Sequence, residues 1–488
     1  MPGPEGKLRR MLKGSGTRKL GGRDTLRAFQ RFLGWSLVAL FVSLFPSRAH
    51  AYTWMIKHGY ASCPVCHADP SGGELLTAYG RVQSDELLRM KYGKSSGEVS
   101  HTEPKAPRLA RRTLDSKTDA LSGADEEGKD GQDDAAASDE EAPSAEASTD
   151  SAPTTASSEE SESYPGEFLW GLVKPPDWLL LGGSYRHLNV IRPGTEASKF
   201  STFPMMMDLY GQVQFGNFRI QGSLGAARVG VGSPYARAAQ LTTNQGDQWN
   251  LLSRSHWLGY DLADGAITIR AGHMNLPFGI RIPEHTMWVR KDTLTDRESA
   301  QQDGLAFAYN GEKLRTEVMG IIGNYQVNPD KYRQRGYSLY AEYLVGERTS
   351  VGVSSMVTKA KKDRITLQPD PLRQAHGAYV RSALTEDFVV LAEADVLLTS
   401  DHDTGYVGFA QADYELIRGL HLMATGEVLN RGYDRIVGGA QTVANGKPQF
   451  GAWGTVDWFF LPHCELRTDA YKRQEEDFTI LVQLHVFL

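Results

Sequence analysis

The alternation of apolar and polar residues with a period of two constrains the fold of this chain more than any other feature. It recurs in short segments throughout residues 166–488. Successive strand residues point to opposite faces, so in "DFVVLAEADVLL" the acids Glu393 and Asp395 share one face and aliphatic residues occupy the other. A packed soluble core does not accept recurring unpaired charges. The pattern therefore predicts strands that are apolar on the outside and polar on the inside.

Strands of this kind predict an all-β transmembrane barrel, since a closed barrel satisfies every backbone polar group within a membrane. We count 16 antiparallel strand-like segments, and an even count places both ends of the barrel on the periplasmic side. A soluble β-sandwich or propeller is the alternative. Aromatic residues near strand ends predict the interfacial girdles of such a barrel: Trp178, Trp257, Trp453, Trp458, Phe459 and Phe460.

One segment inside the barrel region, "GHMNLPFGIRIPEHTMWVRKD", departs from the strand pattern. Pro277 and Pro283 predict a bend or a constriction loop there, because proline lacks the N–H that a strand ladder needs. For Arg281 and His285 a plain loop role is favoured over a role facing the pore.

Two segments ahead of the barrel are predicted from composition. Residues 1–51 combine a basic stretch, the short apolar run "FLGWSLVALFVSLF" and the sequence Ala49-His50-Ala51, which predicts a secretory signal peptide; an N-terminal membrane anchor is the alternative. Residues 94–165 predict a disordered acidic linker, since 119–162 hold fifteen acidic residues, one lysine and one large aliphatic. An acidic, metal-collecting tail is the alternative. Charge elsewhere is balanced, so we expect no nucleic-acid partner.

The motif Cys63-Pro64-Val65-Cys66-His67 lies between these two segments. In an exported protein C-x-x-C-H is the attachment signature of c-type haem, so we expect one haem c held covalently by Cys63 and Cys66, with His67 as the proximal iron ligand. A zinc site, a thioredoxin-like redox pair and a disulfide are the alternatives. Cys464 is expected to be an unpaired barrel thiol.

The segment that carries the motif, residues 52–93, is small for a cytochrome, and a covalent haem would supply its core. "SDELLRM" predicts a helix capped by Ser84. The distal haem ligand is His58 or Met90, with Met55 as a third candidate. His58 is slightly favoured because it lies close to the motif.

The order of these parts resembles the fused outer-membrane cytochrome–porins, a family with iron-oxidising members. The resemblance rests on Cys63, Cys66 and His67 and on the downstream stretch Tyr79-Gly80-Arg81. It implies one haem segment, in the periplasm or in the barrel mouth, ahead of a barrel in the bacterial outer membrane. The acidic linker is much longer here than the family's short connection.

The resemblance also implies a function, namely electron transfer between the cell exterior and periplasmic carriers through the single haem. The expected partners are a periplasmic c-type cytochrome or another electron carrier, an extracellular donor or acceptor, and outer-membrane lipid. External Fe(II) is one candidate donor, and the residues leave open whether the chain is an Fe(II)-oxidising enzyme. The alternative is a solute-conducting porin whose haem segment has a redox-sensing or structural role.

Overall fold

The structure of the chain is a computed structural model. It describes residues 54–58, 63–70, 72–88, 168–194, 199–228, 241, 249–284, 286–297, 299–327, 329–363, 367–432, 435–437, 440–442, 447–474 and 476–488. The predicted signal peptide (1–51) and acidic linker (94–165) lie outside these residues. Among the described helices, none has the length and the apolar character needed to cross a membrane.

A single closed sheet of sixteen antiparallel strands dominates the described part of the chain. The alternation predicts strand starts near residues 177, 201, 217, 248, 266, 299, 313, 333, 348, 372, 387, 404, 420, 447, 463 and 477. Each strand begins within three residues of one of these positions, which confirms the barrel and its strand count. The strands are β1 Leu179–Arg192, β2 Lys199–Phe215, β3 Phe218–Arg228, β4 in two pieces (Trp249–Leu252 and His256–Leu262), β5 Ile267–Met274, β6 Gln302–Asn310, β7 Leu314–Ile321, β8 Arg335–Leu344, β9 Thr349–Lys359, β10 Leu372–Ala383, β11 Phe388–Thr399, β12 Gly405–Ile417, β13 Leu420–Asn430, β14 Gln449–Leu461, β15 Cys464–Arg473 and β16 Thr479–Phe487.

Pairing between the first and last strands closes the barrel. β1 pairs with β2 on one side and with β16 on the other, for example through His187 and Leu484. Both pieces of β4 pair with β3, so they act as one interrupted strand. A small hairpin, Arg435–Val437 with Ala440–Thr442, lies in the connection between β13 and β14.

The two faces of the strands differ as the alternation predicts. On β12, Tyr414 and Leu416 are exposed on the outer face, whereas Gln411 and Asp413 are buried on the inner face. The girdle prediction holds for Trp178, which is exposed.

For three of the predicted girdle aromatics the expectation is wrong, because Trp257, Trp453 and Phe459 are buried on the inner face. Buried partners hold two of them there: Arg270 lies over the Trp257 ring, and Trp453 Nε1 donates to Glu427 Oε1 at 2.8 Å. Proximity to a strand end therefore did not decide which way a ring points.

Connections at the two ends of the barrel have different lengths. At one end, short turns join successive strands, such as residues 216–217 and 418–419, and the sheet begins and finishes at this same end. The connections at the opposite end are mostly longer. One of them, residues 275–301 (here the inward loop), folds into the barrel and contains a short helix, Trp288–Thr293. Trp288 N donates to Glu427 Oε2 at 3.0 Å and Ser338 Oγ donates to Pro277 O at 2.9 Å, so the loop contacts inward-facing side chains of distant strands.

The described residues between 54 and 88, here the plug segment, also lie inside the barrel. They comprise a 3₁₀ turn at Trp54–His58, a second at Cys63–Val65 and one α-helix, α1, at Ala78–Leu87. Buried ion pairs join Lys57 to Glu415 on β12 and Asp69 to Arg270 on β5. Sixteen strands enclose more space than wall side chains fill, and the plug segment and the inward loop occupy much of it.

An apolar cluster inside the barrel joins these two insertions. Met55, Ile56 and Leu88 of the plug segment belong to the same buried cluster as Phe278 and Trp288 of the inward loop. The lumen is thus partly a packed apolar core, whereas the alternation predicted a polar inside.

Candidate functional site

The C-x-x-C-H residues form a tight turn. Cys66 N and His67 N both donate to Cys63 O, at 3.1 and 2.9 Å. The turn is then paired with the following residues, since Ala68 N donates to Leu75 O at 2.9 Å. The two cysteines and the histidine are therefore held on one rigid turn.

Thr77 connects this turn to helix α1. Its Oγ1 accepts from Gly80 N at 3.0 Å and caps the helix, and it donates to Val65 O at 3.1 Å. The predicted cap, Ser84, is wrong: Ser84 lies within the helix and its Oγ donates to Arg81 O at 2.8 Å. The helix begins seven residues earlier than the apolar pattern indicated, because Thr77 rather than Ser84 accepts from a free N–H group of its first turn.

Two glycines allow the backbone to pack closely around the motif. A Cβ on Gly80 would lie 2.2 Å from Cys66 O, so the helix approaches the motif turn more closely than any side chain permits. Gly72 has a φ of +83°, and a Cβ there would lie 3.0 Å from Cys63 Cβ.

Cys63, Cys66 and His67 all line one cavity inside the barrel. Its empty volume, including the part open to solvent, is ≈ 1920 Å³. The two thiols are free and form no disulfide. The cavity wall comes from the plug segment, the inward loop and the inward faces of several strands.

Burial sets the protonation of the motif residues. Burial first, and then the neighbouring Cys63, raise the pKa of Cys66 to about 12, so its thiol is neutral. Burial first, and then the positive charge of Arg297, lower the pKa of His67 to about 4, although Asp69 acts in the opposite direction. The imidazole is therefore neutral at physiological pH, the form that binds metal ions.

Cys63 faces a charged network on the barrel wall. Arg315 Nη1 donates to Cys63 Sγ at 3.4 Å, and the same guanidinium pairs with Glu342. Glu342 also accepts from Arg381 Nε at 2.8 Å. This network fixes the orientation of the Arg315 side chain beside the thiol.

Two arginines of the inward loop, Arg281 and Arg297, line the same cavity. Burial first, and then the positive charge of Arg297, lower the pKa of Arg281. Arg281 Nη2 and Arg297 Nε are buried without a hydrogen-bond partner among the described residues. Such a pair favours an anionic group between the two side chains. The preference for a plain loop role of Arg281 is thus wrong, since it faces the lumen.

The donor set fits a covalent haem c. Two unpaired thiols and a neutral imidazole lie within five residues on one turn and face a common cavity, and His67 Nδ1 is buried without a hydrogen-bond partner. A thioredoxin-like pair or a disulfide would leave the imidazole and the cavity unexplained.

Of the three candidates for the distal ligand, the structure describes only the side chain of Met55. Met55 is 4% exposed and lines the cavity. His58 ends the first 3₁₀ turn, but its side chain is outside what the structure describes, as are Met90 and His285. Cys464 is free, as expected, at the start of β15.

Several cavity residues could not be found from the sequence, because they come from remote strands and from the inward loop. Arg297 and Arg315 are more than two hundred positions from the motif, and no local pattern links them to it. The thioether of Met206 on β2 also lines the cavity, and no local pattern links this residue to the motif either.

Comparison with known proteins gives a likeness of fold. No protein-family model matches the chain, and no curated protein matches it. Among solved structures, OmpT of Vibrio cholerae is 10% identical with a TM-score of 0.47, covering 65% of this chain and 100% of that one. The outer membrane channel DcaP of Acinetobacter baumannii is 11% identical with a TM-score of 0.44, covering 64% and 97%. An anion-selective porin from Comamonas acidovorans is 9% identical with a TM-score of 0.43, covering 64% and 99%.

Proposed function

We propose that this protein is a bacterial outer-membrane barrel that carries one haem c on Cys63, Cys66 and His67 and transfers electrons between the cell exterior and periplasmic carriers. The observation that carries the proposal is the cavity inside the barrel, into which all three motif residues face. A haem held there would sit between the two ends of the barrel, where an electron has to pass.

The outward face of the barrel supports the membrane location. Large apolar side chains are exposed along it, among them Leu209, Leu258 and Leu305, at 59–63%. A soluble protein rarely exposes a continuous apolar band, whereas a barrel in lipid requires one. Short turns mark the periplasmic end of such barrels. The sheet begins and finishes at the end with the short turns, which supports a periplasmic position for both barrel termini.

The chain's own residues have distinct roles in this proposal. Cys63 and Cys66 would attach the haem through thioethers, and His67 would be the proximal ligand, with Met55, His58 or Met90 on the distal side. Arg281 and Arg297 would pair with the two haem carboxylates. Haem iron supplies one-electron redox chemistry when bound.

The experiment is a redox spectrum recorded on intact cells and on purified protein. Reduced c-type bands should be present in the wild type and absent in Cys63→Ala/Cys66→Ala, while Cys464→Ala, a matched cysteine variant away from the motif, keeps them. An external acceptor too large for the pore should bleach the bands in intact cells, and external Fe(II) should restore them if it is the donor. Bleaching that requires lysis would remove the support for transfer across the membrane.

The second candidate is a solute-conducting porin in which the haem segment is structural or redox-sensing. The charged wall of the cavity and its opening to solvent favour this function. Solute flux into liposomes containing the purified protein, without electron flow that depends on the haem, would select it over electron transfer.

A further inference from the structure

A second cluster of metal-ligating side chains lies on the barrel wall, away from the C-x-x-C-H motif. His256, His273 and Asp303 each offer one ligand atom, and these atoms all lie within 4.8 Å of one another. They come from β4, β5 and β6, at the end of the barrel with the longer connections.

Strand register explains why the three residues meet. His256 is paired with His273, and His273 with Asp303, so they form one row across three adjacent strands. The row lies on the same face as Leu258 and Leu305, which are exposed on the outside of the barrel. Gly272 lets the strands approach closely beside the row, since a Cβ there would lie 2.3 Å from His256 O.

The geometry of the row matches that of metal ligands. The two imidazole rings are stacked with centroids 4.9 Å apart and an interplanar angle of 16°. His273 Nδ1 lies 3.0 Å from Asp303 Oδ1. This contact orients the His273 ring and leaves its Nε2 as the nitrogen available to an ion.

One buried nitrogen in the row lacks a partner. The His273 side chain is fully buried, and its Nε2 has no hydrogen-bond partner among the described residues. Such an orphaned polar atom costs free energy unless something binds it. Residues outside the row orient the other two side chains. His256 Nδ1 lies 2.9 Å from Ser253 Oγ, and Asp303 Oδ2 accepts from Tyr325 N at 2.7 Å. Second partners of this kind are typical of metal ligands.

We propose that His256, His273 and Asp303 bind a divalent transition-metal ion on the outer surface of the barrel. Two imidazoles and one carboxylate favour zinc, iron, cobalt or nickel over calcium and magnesium, which prefer oxygen ligands. His256 is exposed, and His273 and Asp303 lie one residue from the ends of β5 and β6 that border the inward loop, so an ion reaches the row from the rim of the barrel rather than through lipid. The site would tie three neighbouring strands together at one end of the barrel, and it does not depend on the proposed electron transfer.

The test is calorimetric titration of the full-length, haem-loaded protein in detergent with zinc alone. The wild type should bind one more equivalent of zinc than His256→Ala, and Asp303→Asn should weaken that binding at least tenfold. Excess calcium or magnesium should not compete. His256→Ala is the decisive variant because this side chain is exposed, whereas His273→Ala removes a buried ring.

The matched control is His376→Ala. The Nδ1 atom of His376 on β10 lies 2.9 Å from the hydroxyl oxygen of Ser355, a contact like that of His256 with Ser253. His376 belongs to no metal-ligating cluster among the described residues. This variant should bind zinc like the wild type. Equal zinc stoichiometry and affinity in wild type and His256→Ala would overturn the proposal, and so would equal losses in His256→Ala and His376→Ala.

Discussion

At the scale of single residues, Glu74 is the side chain through which pH acts on the plug segment. It accepts from Ser255 Oγ and, at 3.2 Å, from Asn275 Nδ2 on the barrel and inward loop. Burial first, and then the nearby charge of Asp69, raise its pKa from 4.5 to about 7. The folded protein therefore holds a proton on Glu74 that the unfolded segment releases at lower pH.

The raised pKa of Glu74 contributes to the stability of the plug segment at low pH, and this contribution is lost towards neutral pH. Because the folded state binds the proton more tightly, its contribution to stability is complete below pH 4.5 and is lost as pH rises to about 7. We expect the hydrogen-exchange protection of residues 63–88 in the wild type, divided by the protection in Glu74→Gln, to fall by up to about tenfold per pH unit within this window and then to level off. The ratio is needed because His67, whose pKa is lowered, changes the protection of both proteins in the opposite direction as pH rises. An identical pH profile in the variant would show that another group is responsible.

At the scale of elements, the contact between α1 and the motif turn is sensitive to a single methyl group. Gly80→Ala would place a Cβ 2.2 Å from Cys66 O and 2.8 Å from Cys66 Cα, both backbone atoms that cannot move aside separately. We expect the helix to shift, with a loss of about 1–3 kcal/mol in the stability of the plug segment. Haem attachment should fall with it.

Gly426→Ala on β13 is the matched control, since a Cβ there meets no atom within 4 Å. Haem content from the absorption spectrum and exchange protection of α1 check both variants. If Gly80→Ala and Gly426→Ala keep the same haem content and the same protection, the close approach of the helix has no role in holding the motif.

The strands and the helix differ in how far the sequence determined them. Strand starts and faces were predictable, because a lipid-facing side and a polar side impose the period of two on each strand separately. The start of α1 was not, since Thr77 caps the helix through contacts with the motif turn that the apolar pattern does not encode. The inward direction of Trp453 likewise depends on Glu427, a partner on another strand.

At the scale of the whole molecule, the sequence did not predict that the plug segment and the inward loop fill much of the lumen. Lys57 and Glu415 are 358 positions apart, and neither residue type nor spacing indicates that they pair. The C-x-x-C-H motif indicated its chemistry from five adjacent residues, but the cavity that would hold a haem is assembled from the plug segment, the inward loop and many strands. Long-range pairings of this kind carry no local signal, so the sequence left open whether the segment lies in the barrel mouth or ranges freely in the periplasm.

The filled lumen leads to a prediction about conductance. The buried pairs Lys57–Glu415 and Asp69–Arg270 attach the plug segment to the wall from opposite sides of the motif. Removing one partner of a buried pair leaves the other charge uncompensated, which costs roughly 3–5 kcal/mol. We expect low single-channel conductance in planar bilayers for the wild type and a several-fold rise for Lys57→Met/Asp69→Asn, because the loosened segment opens a passage for ions.

Asp330→Asn provides the control for this experiment. Asp330 pairs with Arg335 in a connection outside the lumen, where both side chains are more than 40% exposed and the pair contributes little. This variant should conduct like the wild type. A wild-type conductance as high as that of the double variant would mean that the plug segment does not obstruct the barrel in a membrane, and electron transfer through a sealed lumen would then lose its structural basis in favour of solute conduction.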